Sequence, residues 1–305
     1  MRLRDFRALR NGNNWVPTDS HRFHGFLWVL ITLGLWISIP AWGHGTLHDE
    51  IARLDAELIR KPGDAELLIE RGEMYRIHEL FPQAKEDWQK VAQLRPTDPT
   101  NHLRLGLIAL GSRETNSAVE LLKRFVQECP QCLPGQLSMA TAYQMAGQNQ
   151  EAVQHWTRAI QLVPEPNPEW YLQRARAGVA GKMPVESVLS GLDEAIGQYG
   201  PLPPLQLMAV DLEVSRGKVD AALDRISAIA KRADRKERWI VRRAEILMQA
   251  GRFPEAKTEF IAAREAMDRL PDKLRRAWVA TDLRQQIEAK LATLEQTSAS
   301  APQKP

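Results

Sequence analysis

Apolar positions along this chain follow two periods at once, a short one within segments and a long one between them. Ala118, Leu121, Leu122 and Phe125 stand at i, i+3, i+4 and i+7, which lays one apolar stripe along a helix. Ala84 with Trp88, and Ala152 with Trp156, occupy the places of Ala118 and Leu122 at a step of 34 residues. Gly72, Gly106 and Ala140 form a second column at that step, and Tyr75, Ala109 and Tyr143 a third. Pro62, Pro96, Pro130 and Pro164 also fall 34 residues apart without slippage. A fixed long period of this kind marks a repeat array.

Each column has a physical reason. Gly106 and Ala118 are small where two antiparallel helices must approach closely. Pro130 has no N–H to donate to a helical turn, so it stops one helix and resets the chain for the next. A single helix pair leaves an apolar face that only the next pair can bury. The pattern therefore predicts an all-α chain, an α-solenoid of stacked antiparallel helix pairs with about five to six units.

Beyond Pro164 the columns loosen. A fourth unit begins at Glu169-Trp170-Tyr171 and runs to about Tyr199, with no alanine in the expected place. Gly-Pro-Leu-Pro-Pro at 200–204 then reads as a rigid connection and the expected place for a bend or a subdomain boundary. Gly217 to Ala222 and Gly251 to Ala256 repeat the five-residue step of Gly147 to Ala152, which predicts a fifth and a sixth unit. The expected layout is a capping helix within 46–63, repeats at 64–200 and 201–270, and a C-terminal capping helix within 271–296. The tail 297–305 is small, polar and proline-containing, and is expected to be disordered.

The small residue, aromatic, alanine, second large apolar residue and closing proline together resemble the tetratricopeptide repeat. The resemblance covers most of residues 46–270 and is strongest over 64–165. It implies that the first helix of each pair lines a concave surface on which a protein or peptide ligand is held. The positions so implicated are Glu70, Glu73 and Arg76 in the first repeat, Leu103, Leu107 and Leu110 in the second, and Thr141, Gln144 and Met145 in the third. Their order, acidic, then apolar, then polar, suits a peptide or helix with apolar anchors and a basic end. Leu103 and Leu107 are equally compatible with ordinary packing between repeats. The family's groove for a C-terminal carboxylate uses Lys and Asn at matching positions, and this chain has neither there, so that activity is not carried over.

Charge and the N-terminus add a location. The chain holds 41 Lys and Arg against 38 Asp and Glu, but residues 44–305 balance at 36 of each, so no basic excess points to nucleic acid. The surplus sits in Arg2, Arg4, Arg7, Arg10 and Arg22, ahead of an uncharged apolar stretch at 25–43. A basic leader, the short apolar run Phe26–Ile39 and the small-x-small sites at Ala41-Trp42-Gly43 and Gly43-His44-Gly45 form a signal-peptide pattern over 1–45. The fourteen-residue run spans roughly 21 Å as a helix, short of the ~30 Å hydrocarbon core. Extended to Phe23–Trp42 it would serve as an uncleaved N-terminal anchor. The expected location is periplasmic in a bacterium, or secreted, with a membrane-anchored form facing the same side as the alternative.

No catalytic motif is present: no Walker A, no GxGxxG after a strand, no HExxH and no GxSxG. The expected function is thus a non-enzymatic interaction scaffold without a cofactor. Two features favour an alternative, a metal-binding or thiol-redox protein. Cys129-Pro130-Gln131-Cys132 is a CxxC, and in an oxidising compartment the pair can close into a disulfide. His44 and His48, with a free amine if cleavage follows Gly43, would offer nitrogen ligands suited to Cu(II).

Overall fold

The computed structural model describes residues 45–299, with side chains over 48–296. The basic leader, the apolar stretch and His44 lie outside the described residues, as do residues 300–305. Fifteen helices and no strand occur among the described residues. The chain divides into two compact units between Cys129 and Pro130.

The first unit contains α1 (Gly45–Arg60), α2 (Ala65–Ile77), α3 (Phe81–Leu94), α4 (Thr100–Gly111) and α5 (Thr115–Glu128). Helices α2 and α3 pack as one pair and α4 and α5 as the next. Asp64 starts α2 by accepting the backbone N–H groups of Glu66 and Leu67 at 3.1 and 3.4 Å. Trp88 is fully buried against the bare Cα of Gly72, and its indole N–H donates to Ile69 O at 3.3 Å. A Cβ on Gly106 would lie 2.7 Å from Leu122, so the column of small residues is set by the large side chain opposite.

The second unit contains four further pairs: α6 (Leu133–Met145) with α7 (Asn149–Gln161), α8 (Pro168–Ala180) with α9 (Val185–Tyr199), α10 (Pro203–Ser215) with α11 (Val219–Arg232), and α12 (Glu237–Gln249) with α13 (Phe253–Asp268). The short α14 (Asp272–Arg275) and the long α15 (Trp278–Ala299) follow. Ala280, Ile287, Leu291 and Leu294 form the buried stripe that holds α15 on the core shared with α13. The expected single capping helix is therefore two helices. It also runs past Thr297, the expected start of a disordered tail, to Ala299.

The anticipated boundary at 200–204 is not where the units part. Leu205 and Ala209 of α10 share a core with Tyr171 and Leu172 of α8 and Leu192 of α9, so packing continues across the proline-rich connection. Prolines stiffen a connection without removing the contacts on either side of it.

The repeat is clearest in its turns. Glu79, Arg113, Gly147, Lys182, Gly217 and Gly251 all have left-handed backbone, with φ of 60, 60, 72, 53, 71 and 73°. Each lies between the two helices of a pair, and successive ones are 34 or 35 residues apart. The following N–H reaches back five residues in every case, as Leu80 to Tyr75 O and Gln148 to Tyr143 O at 2.8 and 2.9 Å. This is the Schellman C-cap, which satisfies the last carbonyls of a helix. It aims the chain directly into the second helix, which starts without any side-chain cap in all six pairs.

Candidate partner-binding surface

Counting from each left-handed residue puts the six first helices in one register. Three residues earlier stand Arg76, Leu110, Gln144, Val179, Val214 and Met248. Six residues earlier stand Glu73, Leu107, Thr141, Arg176, Asp211 and Glu245. The sequence reading covered the first three members of each series. It missed the members in α8, α10 and α12, because the closing prolines that anchored it stop at Pro164. The glycines Gly217 and Gly251 carried the signal that would have extended it.

In the first unit, Glu73 is buried and its two oxygens accept Nε and Nη2 of Arg76, both at 2.7 Å. The carboxylate raises the Arg76 guanidinium above its ordinary range. The pair neutralises itself and leaves no free acidic charge for a basic ligand. Glu70 is half-buried and paired with Arg53 at 2.9 Å. Leu103 is only 4% exposed and belongs to the interior, so it leaves the set of contact residues. Leu107 is half-buried against the core of Ala84, Trp88 and Ile108, and Leu110 is half-buried.

In the second unit, the Thr141 hydroxyl donates to Leu137 O at 3.0 Å, and Gln144 Oε1 accepts the Trp156 indole N–H at 2.7 Å. Both polar groups are thus engaged by their own fold. Met145 remains open, as do Ile77 at the matching place in the first unit and Val179 in α8, all 43–46% exposed. Val214 and Met248 are half-buried on the same series.

A second recurring arrangement binds helices together. Arg71 of α2 bonds Asp87 of α3 through Nε at 2.7 Å and Nη2 at 2.5 Å, and Asp55 of α1 through Nη1 at 2.6 Å. Eight residues before its own left-handed turn, Arg243 does the same, bonding Glu259 of α13 at 2.8 Å and the hydroxyl of Ser227 in α11. Clefts of about 450 and 380 Å³ lie beside these two arginines, the first floored by Leu58, Ile59 and Tyr75, the second by Leu223 and Leu247. Each arginine clamps three helices, and its partners are used up in doing so.

The remaining candidates separate. Cys129 and Cys132 are both disulfide-bonded. His48 is exposed on α1, and among the described residues no group of three or more His, Cys, Asp and Glu side chains is placed to hold a metal ion. His155 is buried, stacked on Tyr143 with ring centroids 5.4 Å apart, and its Nδ1 lies 2.7 Å from Gln136 Oε1. Gln136 Nε2 donates to Pro130 O at 2.6 Å, so Oε1 faces the ring and Nδ1 carries the proton. Burial, with the Arg158 charge, pushes its pKa down to about 4.

Helix pairs at a 34–35-residue step, joined by identical left-handed turns and packed small column to large, define a protein of the tetratricopeptide-repeat fold. No protein-family model matches the sequence, and no curated protein does. Among solved structures, it is similar to the Naa15/Naa10 complex bound to HypK, at 16% identity over 80% of this chain and 37% of that one, with a TM-score of 0.50. A tetratricopeptide repeat protein from Parabacteroides merdae matches at 16% identity over 80% of this chain and 93% of that one, TM-score 0.49. YrrB, described as a TPR protein with an unusual peptide-binding site, matches at 11% identity over 60% and 93% of the two chains, TM-score 0.46.

Proposed function

We propose that this chain is a non-enzymatic, exported interaction scaffold that holds a peptide or helix of another envelope or secreted protein against its first helices. The observation that carries the reading is that each unit leaves apolar side chains uncovered near the ends of its first helices, Ile77 beside half-buried Leu107 and Leu110 in the first unit's sequence and Met145 and Val179 in the second's. Apolar side chains left open at the ends of successive first helices offer anchors for a partner's own apolar residues. The self-paired Glu73 and Arg76 turn the reading toward apolar anchors and away from a basic ligand end. Export is supported by the leader pattern in the sequence and by the disulfide state of Cys129 and Cys132, which suits an oxidising compartment.

The test is capture of the partner by the tagged full chain from its own cell envelope, followed by affinity measurement. Leu107→Ser with Leu110→Ser, and separately Met145→Ser with Val179→Ser, should each weaken binding by about 2 kcal/mol or more if they are anchors. Circular dichroism must show the helices intact. Unchanged affinity in both folded double variants would remove the first-helix surface from the proposal. N-terminal sequencing of the native protein tests export, with a start near residue 44 or 46 expected and the intact chain in washed membranes indicating the anchored form.

A further inference from the structure

Every residue from 271 to 279 is exposed, nine in succession, between the core-packed α13 and the buried stripe of α15 that begins at Ala280. Within this short stretch Leu274, Trp278 and Val279 are 41, 77 and 56% exposed. Lys273, Arg275 and Arg276 lie among them, and Asp272 is the one acidic residue. Asp272 is taken by Arg275. The neighbouring charges are also paired, Arg269 with Glu265 at 3.1 Å and Arg284 with Asp268 at 2.7 Å. Lys273 and Arg276 make no ion pair among the described residues, so two free cations stand beside an open tryptophan.

We propose that residues 271–279 dock the second unit onto an anionic lipid bilayer, with Trp278, Leu274 and Val279 entering the headgroup boundary and Lys273 and Arg276 on lipid phosphates. Tryptophan favours the interface because its ring is apolar and its indole N–H still finds a polar partner. Basic residues beside it are drawn to anionic headgroups. The charge sign separates this stretch from the two clefts, whose linings are rich in Asp and Glu. Nothing lines it as a groove, and a bilayer supplies negative charge and an apolar layer at one surface without one. No helix among the described residues is long and apolar enough to cross a membrane, so the contact is peripheral.

The experiment places an environment-sensitive fluorophore on Val279→Cys in the full chain. Because Cys129 and Cys132 are disulfide-bonded, the new thiol can be labelled without reduction. A local label is needed because the N-terminal apolar stretch could bring the chain to vesicles by itself. With vesicles of phosphatidylglycerol and phosphatidylcholine the emission should shift to the blue and be quenched by brominated acyl chains. Phosphatidylcholine alone should give little shift. Lys273→Glu with Arg276→Glu should weaken the response about tenfold or more, and Trp278→Ala should weaken it further. A label on Gln161→Cys, exposed on α7, should stay in water throughout. Equal shifts with and without phosphatidylglycerol, or indifference to the charge reversal, would overturn the proposal. A blue shift that follows protein concentration without lipid would overturn it in favour of a second copy of the chain.

Discussion

Gly178 and Val188 share one space between α8 and α9: a Cβ on Gly178 would stand 2.9 Å from Cγ2 of Val188. In the other five pairs the corresponding place on the second helix is a fully buried alanine, Ala84, Ala118, Ala152, Ala222 or Ala256. α9 begins one residue later after its left-handed turn than the other second helices, which brings Val188 into that place. The fourth repeat thus keeps close packing by moving the small residue to the partner helix.

Gly178→Ala should therefore destabilise the protein by about 1–3 kcal/mol, although alanine is the better helix former. Adding Val188→Ala should recover part of that loss, since the pair would then match Ala109 and Ala118 of the second repeat. Denaturation of the two single variants and the double variant checks this; additive effects would mean that the residues do not share the space.

The six left-handed turns make a second comparison. A Cβ on Gly147, Gly217 or Gly251 would meet nothing within 4 Å, so substitution there reports backbone strain alone. Gly251→Ala should cost about 1 kcal/mol, and Arg113→Gly and Lys182→Gly should gain about 0.5–1 kcal/mol. Thermal unfolding should rank the variants in that order.

Asp87 and Glu259 hold equivalent arginines at different depth. Asp87 is buried while Glu259 is half-buried. Asp87→Ala should cost about 2–3 kcal/mol, because it strips a charge partner from a largely enclosed guanidinium. Glu259→Ala should cost about 1 kcal/mol or less. Added salt should reduce the second effect more than the first, as urea titrations at two ionic strengths would measure.

His155 gives the protein a pH dependence whose sign is fixed by burial. Its folded pKa of about 4 lies below the unfolded value near 6.5, so the unfolded chain binds the extra proton first. Stability from this residue is whole above about pH 6.5, falls as pH drops, and levels below about pH 4. His155→Gln should flatten that part of the stability profile. An unchanged slope would place the titration elsewhere.

The candidate surface was legible in the sequence only as one face of each first helix. Helical spacing tells which residues share a face, but a helix in an array has neighbours on several sides. Leu103 turned inward, Gln144 was taken by the Trp156 indole, and Glu73 by Arg76. Val179, Val214 and Met248 were missed because the closing prolines stop at Pro164 and the step then lengthens to 35, from Gly147 to Lys182 and again from Lys182 to Gly217.

The sequence by itself determined the fold class and the repeat. Periodic stripes, small columns and prolines are local constraints, and every turn that carries glycine announces its left-handed backbone. Glu79, Arg113 and Lys182 make the same turn without announcing it, because only the closed helix pair obliges an ordinary residue to take positive φ. Tertiary structure alone decided that the units part at Cys129–Pro130, since compactness depends on contacts between distant residues rather than on the stiffness of a Pro-rich link. It alone paired Gly178 with Val188, a balance of volumes between two helices that neither helix records in its own sequence.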